Sequence, residues 1–221
     1  METNKEKEIR REFHTPSSVY LRESSEGEVS NRNIEGYAIL FDTPSAVLYE
    51  DEEEEVREII DRGAITKDLL DKSDILFTMF HNRQKILGRS KNGSGSLTYN
   101  VDEKGVAFSL SLPETRDGED TLTLIRDGII DGCSFAFSTR YYDQDFVERS
   151  IEVRDGKKYI TYRVKIITGI YDMTVTPNPA YPDTSVEARE FIKGLELKKE
   201  PEKKDLSGYL AEMRANTRLE I

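Results

Sequence analysis

The sequence predicts an α+β or mainly β protein, built on a twisted antiparallel sheet or barrel. Three observations predict it. Apolar residues recur with period two over many short runs; neighbouring runs are joined by tight turns; and the two clear helical segments interrupt the strands without making a regular βαβ series. The chain has 221 residues, enough for one domain with tails, since a domain takes roughly 100–200 residues.

Residues 1–30 alternate charges with Ser, Thr and Gly and hold no sustained period, so they read as a flexible N-terminal arm with a short first strand at 18–22. The texture changes at Ile34. IEGYAILFD is a buried strand that stops at the turn signal Asp42-Thr43-Pro44. Six consecutive acidic residues, Glu50 to Glu55, then read as a solvated loop, because like charges repel and cannot pack. VREII is a short extended piece, Gly63 a joint, and the segment after it a helix with Ile65, Leu69 and Leu70 on its apolar side.

ILFTMF, Ile75 to Phe80, has strand length and ends at His81, with a polar turn expected at Asn82-Arg83-Gln84 and a further strand at KILGRS. SLTYNVD and GVAFSLSL form a hairpin joined at Glu103-Lys104-Gly105. A helix follows from about Glu119, with Leu122, Ile125 and Ile129 on one face and Gly128 as its end. GCSFAFSTRYY then alternates Cys133, Phe135 and Phe137 with Ser134, Ala136 and Ser138. FVERSIEVR and KKYITYRVKII flank the hairpin signal Asp155-Gly156, and GIYDMTVT is the last strand before a proline-rich exit. The domain plan is therefore an arm at 1–30, a globular domain at 31–190, and at 191–221 a charged linker with a short amphipathic C-terminal helix carrying Leu206, Tyr209, Leu210 and Met213.

Composition narrows the function. With 32 basic against 43 acidic residues the net charge is -11, which opposes a general nucleic-acid binder and an anionic membrane surface. No apolar run reaches the ~18 residues of a membrane span, and the charged start METNKEKEIRREF lacks the hydrophobic stretch of a signal peptide. An intracellular, soluble chain is expected. One cysteine, Cys133, excludes an internal disulfide, and two histidines, His14 and His81, are too few for the usual Cys/His zinc site. No metal or cofactor is expected.

Ser134 is the first candidate for chemistry. A nucleophilic serine needs a rigidly held hydroxyl, an imidazole within reach and room for a substrate carbonyl. Its strand offers the rigidity and a face of small residues. Gly132-Cys133-Ser134-Phe135-Ala136 is close to the G-x-S-x-G elbow, but the elbow runs from strand to helix and this segment from helix to strand, which excludes an α/β-hydrolase. An ordinary sheet serine is the bland alternative. His81 is a candidate base placed at a strand end, the alternative being a surface histidine; His14 falls in the arm. Asp172 lies in an apolar strand, where a carboxylate is costly unless paired, and the alternative is an edge-strand aspartate facing water. Cys133 is the rival nucleophile, on the apolar face where a thiol is usually inert.

The segments IEGYAILFD, REIIDRGAI, MFHNRQKILGRS, LPETRDGEDTLTLIRDGIIDGCSFAFS and YDMTVTPNPAYPDTSV, spread from Ile34 to Arg189, resemble in order and spacing the phage prohead maturation proteases, serine peptidases related to herpesvirus assemblin. The resemblance implies an assemblin-like α+β fold, a mainly antiparallel β-barrel-like core with a few surrounding helices, with 31–190 as the serine protease domain. It also implies cleavage of the scaffolding segment of the major capsid protein, and of the enzyme itself, during capsid assembly. The place of action it implies is the immature capsid in the host cytoplasm, or the bacterial cytoplasm for a prophage. The partners implied are the capsid protein precursor and the protease itself, with a homo-oligomer compatible and no nucleic acid or membrane. In that pattern Ser134 is the nucleophile, His81 the general base and Asp172 the third member. Here Asp172-Met173-Thr174-Val175 stands where Glu-Val-Ser-Val is expected, one methylene shorter in reach; assemblin relatives use a second histidine in that role. Backbone amides are the expected oxyanion donors. Two other functions compete: a catalytically degenerate scaffold protein for capsid assembly, and an intracellular serine esterase.

Overall fold

The structure, a computed structural model, describes residues 9–14, 19–22 and 32–177, the first group by backbone only. All fall in the first of two units, Met1–Thr184 and Ser185–Ile221. The linker and helix expected at 191–221, and the proline-rich exit, lie outside the described residues.

In chain order the elements are β1 Ile9–His14, β2 Val19–Leu21, β3 Asn33–Leu40, β4 Tyr49–Glu50, β5 Glu54–Ile60, α1 Lys67–Lys72, β6 Asp74–Met79, β7 Asn82–Lys91 and β8 Ser94–Gly95. They continue with β9 Leu97–Val101, β10 Gly105–Ser111, α2 Arg116–Arg126, β11 Gly132–Thr139, β12 Val147–Arg154, β13 Lys157–Val164 and β14 Gly169–Thr176. The strands form three sheets, ordered β1-β11-β14-β6-β7-β8, β2-β3-β10-β9 and β12-β13-β5-β4. Each sheet has two ends, so the described residues make a mostly β protein with few helices but no closed barrel. Most neighbours are antiparallel, as the hairpin signals imply, yet β14 pairs with β6 and β13 with β5 in parallel. Both parallel pairs join strands far apart in sequence, which no turn signal can announce.

Alternation sets the core. Ile34, Ala38 and Ile39 of β3 and Val106, Phe108 and Leu110 of β10 are buried, and the β9–β10 turn is closed by the Asp102 carboxylate, which accepts from the Lys104 and Gly105 amides at 2.8 and 3.0 Å. Phe108 meets Phe77 of β6 with ring centroids 4.8 Å apart, a contact between the second sheet and the first. Helix α2 begins earlier than its apolar spacing suggests, because Thr115 caps it by accepting the Gly118 amide. It ends at Gly128 as expected, with φ 68° there, but Ile129, expected on the buried face, lies past that end and is exposed, while Ile130 is buried instead.

Two local expectations need correction, and one turn had none. The acidic run is a hairpin between β4 and β5: Asp51 accepts from the Glu53 and Glu54 amides at 2.8 Å, and Lys157 pairs with Glu50 at 2.6 Å, so cross-strand cations and turn amides offset the repulsion. The short strand expected at 18–22 is β2, but a further strand, β1, lies within the segment read as an arm; it joins β11 through backbone pairing, which needs no apolar period. The Asn92-Gly93 turn between β7 and β8, with φ of 51° and 73°, went unread although Asn-Gly is a strong hairpin signal.

Candidate active site

β11 is rigid for a simple reason. All eight of its residues are buried, and it is paired on both sides, with β1 and with β14. Cys133, Phe135 and Phe137 take one face, and the rings of Phe135 and Phe137 stack at 5.3 Å. Ser134 takes the other, opposite Thr174 in β14, and Thr174 in turn lies opposite Thr78 in β6. Residues opposite one another in a sheet share a face, so Ser134, Thr174 and Thr78 form a polar row across three strands. Asp172, two residues before Thr174, lies on that face too.

His81 reaches this row from a tight hairpin. Met79 pairs with Asn82, leaving Phe80 and His81 as a two-residue loop with φ of 57° and 54°. Positive φ at both central residues is what a type I′ turn requires, and for side chains other than Gly, Asn or Asp it costs on the order of 1–2 kcal/mol per residue. The turn thus starts two residues earlier than the Asn82-Arg83-Gln84 stretch expected for it, and Asn82 opens β7. Two bonds to β14 hold the loop: the Phe80 amide donates to the Val175 carbonyl at 3.1 Å, and the His81 amide donates to Thr174 Oγ1 at 2.9 Å.

The three side chains meet. His81 Nδ1 lies 2.6 Å from Asp172 Oδ1 and Nε2 lies 2.8 Å from Ser134 Oγ. An ionised carboxylate only accepts, so Nδ1 carries the proton and donates it to Asp172; Nε2 is then the acceptor for the Ser134 hydroxyl. Asp172 is 1% exposed, and in that setting its pairing with the imidazole offsets the cost of burying a carboxylate. The shorter side chain reaches the ring because β14 runs directly beneath the histidine loop. Ser134 is fully buried and the His81 side chain is 10% exposed.

His14, read as part of an arm, lies in β1 with its backbone at the register position opposite Ser134. Cys133 points away from His81, and burial pushes its thiol pKa up, which disfavours a thiolate. Glu114, an acid that could have served in place of Asp172, is exposed. The residues missed by sequence reasoning are Thr174 and Thr78, although Asp-x-Thr in a strand already puts the carboxylate and hydroxyl on one face. No oxyanion donor is assigned by these contacts. Among the described residues no group of three or more His, Cys, Asp or Glu is placed to hold a metal ion, and no helix is long and apolar enough to cross a membrane.

A hydroxyl, an imidazole and a carboxylate linked in this order make the arrangement with which serine hydrolases carry out acyl transfer. The chain belongs to the caudovirus prohead serine protease family, whose model matches residues 18–198. Among solved structures, the bacteriophage T4 capsid assembly protease gp21 is similar over 79% of this chain and 100% of that one, at 13% identity and a TM-score of 0.35. No curated protein matches the chain.

Proposed function

We propose that this chain is a serine endopeptidase that cleaves the scaffolding segment of the major capsid protein inside the immature phage capsid, and cleaves itself. Family membership supports a prohead protease, and one observation carries the catalytic reading: the continuous hydrogen-bonded path from Ser134 through His81 to Asp172. The Ser134 hydroxyl attacks the scissile carbonyl while Nε2 of His81 takes its proton. The amide nitrogen then leaves with that proton, freeing the new amino terminus, and the acyl group stays as an ester on Oγ. Water attacks the ester, again giving a proton to His81, and the acid product departs as Oγ is reprotonated. Asp172 keeps the imidazole in the tautomer this cycle needs and stabilises its charged form. Residues 31–190 form the protease domain in this reading, and 191–221 a tail outside the catalytic work.

The test is to incubate the purified protein and its Ser134→Ala variant with capsid precursor. Processing by the wild type alone is expected. Precursor left intact by a folded wild type would favour an assembly scaffold without activity, and hydrolysis of small acyl esters without peptide cleavage would favour an esterase.

A further inference from the structure

Thr174 makes more polar contacts around His81 than any strand packing requires. It is fully buried. Its hydroxyl donates to the Thr78 carbonyl at 2.9 Å and accepts from the Thr78 hydroxyl at 3.0 Å and from the His81 amide at 2.9 Å. One donated and two accepted bonds exhaust what a hydroxyl can do. An amide can only donate and a carbonyl can only accept, so the hydroxyl hydrogen faces the Thr78 carbonyl, with the Val175 carbonyl at 3.4 Å as an alternative acceptor, and a lone pair faces the His81 amide either way.

The partner it holds is the one that most needs holding. His81 sits at φ 54° beside Phe80 at φ 57°, and a bulky aromatic such as Phe80 rarely takes the left-handed region. Asp172 grips the ring of His81, and Thr174, two residues further along the same strand, grips its main chain. With both ends tied to β14, the imidazole has little freedom to swing from Ser134, which lies across the ladder from Thr174 itself.

We propose that Thr174 is a positioning residue for the general base: its hydroxyl fixes the His81 main chain so that Nε2 stays within reach of the Ser134 hydroxyl. Resting as it does on Ser134, His81 and Asp172 being catalytic, the proposal concerns the rate of acylation and not substrate binding. A misplacement of about 1 Å at a reacting group costs about 100-fold, so loss of the hydroxyl is expected to slow acylation about 10- to 100-fold.

The probe is an alkyl fluorophosphonate, which phosphonylates a serine whose proton is taken by a base and releases fluoride. Its second-order rate constant is measured on the full chain for the wild type and for Thr174→Val, Thr174→Ser, Thr174→Ala and Ser134→Ala, each checked for folding by thermal unfolding. Valine keeps the methyl and loses the hydroxyl; serine does the reverse; serine and alanine differ in the hydroxyl alone. The proposal expects Thr174→Ser to react at close to the wild-type rate and Thr174→Val and Thr174→Ala about 10- to 100-fold more slowly. Where Thr174→Val does not fold, the serine and alanine pair decides. Equal rates for serine and alanine variants, at any level, would overturn the role of the hydroxyl while leaving the catalytic reading intact. Undiminished labelling of Ser134→Ala would overturn the catalytic reading, and the proposal with it.

Discussion

Two hairpin turns in this protein share a backbone shape and differ in everything else. Asp155-Gly156, between β12 and β13, takes φ of 50° and 84°, and Phe80-His81, between β6 and β7, takes 57° and 54°. Each is a two-residue loop. The first has the residues such a turn favours, lies among the exposed positions of β12 and is stable on local grounds alone. The second has a bulky aromatic and a histidine where Asn-Gly would be expected, and it persists because β14 binds it at Val175, Thr174 and Asp172. A local rule is broken where surrounding contacts over-determine the structure, and that place carries the imidazole.

The largest expected effect comes from the reacting atoms at the second turn. Ser134→Ala and His81→Ala should each lower precursor cleavage by about 10⁶-fold with the fold retained, and the double variant should be little worse, since the two act as a unit. Kinetics on the purified variants, with thermal unfolding as the control, check this. Asp172→Asn should cost less, about 10⁴-fold: the amide nitrogen donates to Nδ1, the ring then protonates at Nε2, and the acceptor facing Ser134 is lost.

Smaller effects separate the turns by stability and not by rate. Gly156→Ala meets no atom within 4 Å, so its cost is the left-handed backbone alone, about 1–2 kcal/mol, or a few degrees in Tm, with cleavage unchanged. Phe80→Asn should change Tm less than that, because relief of the left-handed strain, about 1–2 kcal/mol, is offset by loss of the covered half of a ring that is 45% exposed. A rise in Tm with the histidine still in place would confirm that strain at Phe80 is carried by the rest of the site. Cys133→Ser should leave cleavage largely intact, since the thiol is on the opposite face of β11 and burial holds it protonated.

What could be read from the sequence follows physical range. Asp155-Gly156, the alternation of Cys133 to Ser138 and the apolar runs of β3, β6 and β14 are local patterns, and each strand appears where its pattern predicts. The catalytic candidates were legible as residue types in plausible places, whereas their union depends on the parallel pairing of β14 with β6, a contact between segments some ninety positions apart whose register no local signal encodes. The histidine turn starts two residues before the expected one because Phe80 and His81 are not the residues that announce such turns. Thr174 was passed over because a threonine in a strand is unremarkable until its hydroxyl is seen with all its bonds used.

The claim that Ser134 is the nucleophile is tested most directly by locating the covalent bond it forms. After reaction of the full chain with an alkyl fluorophosphonate, peptide mass spectrometry should find the adduct on Ser134, with precursor cleavage lost in step with labelling and labelling greatly slowed in His81→Ala. An adduct on another residue, or precursor cleavage that continues undiminished once Ser134 is blocked, would contradict the account.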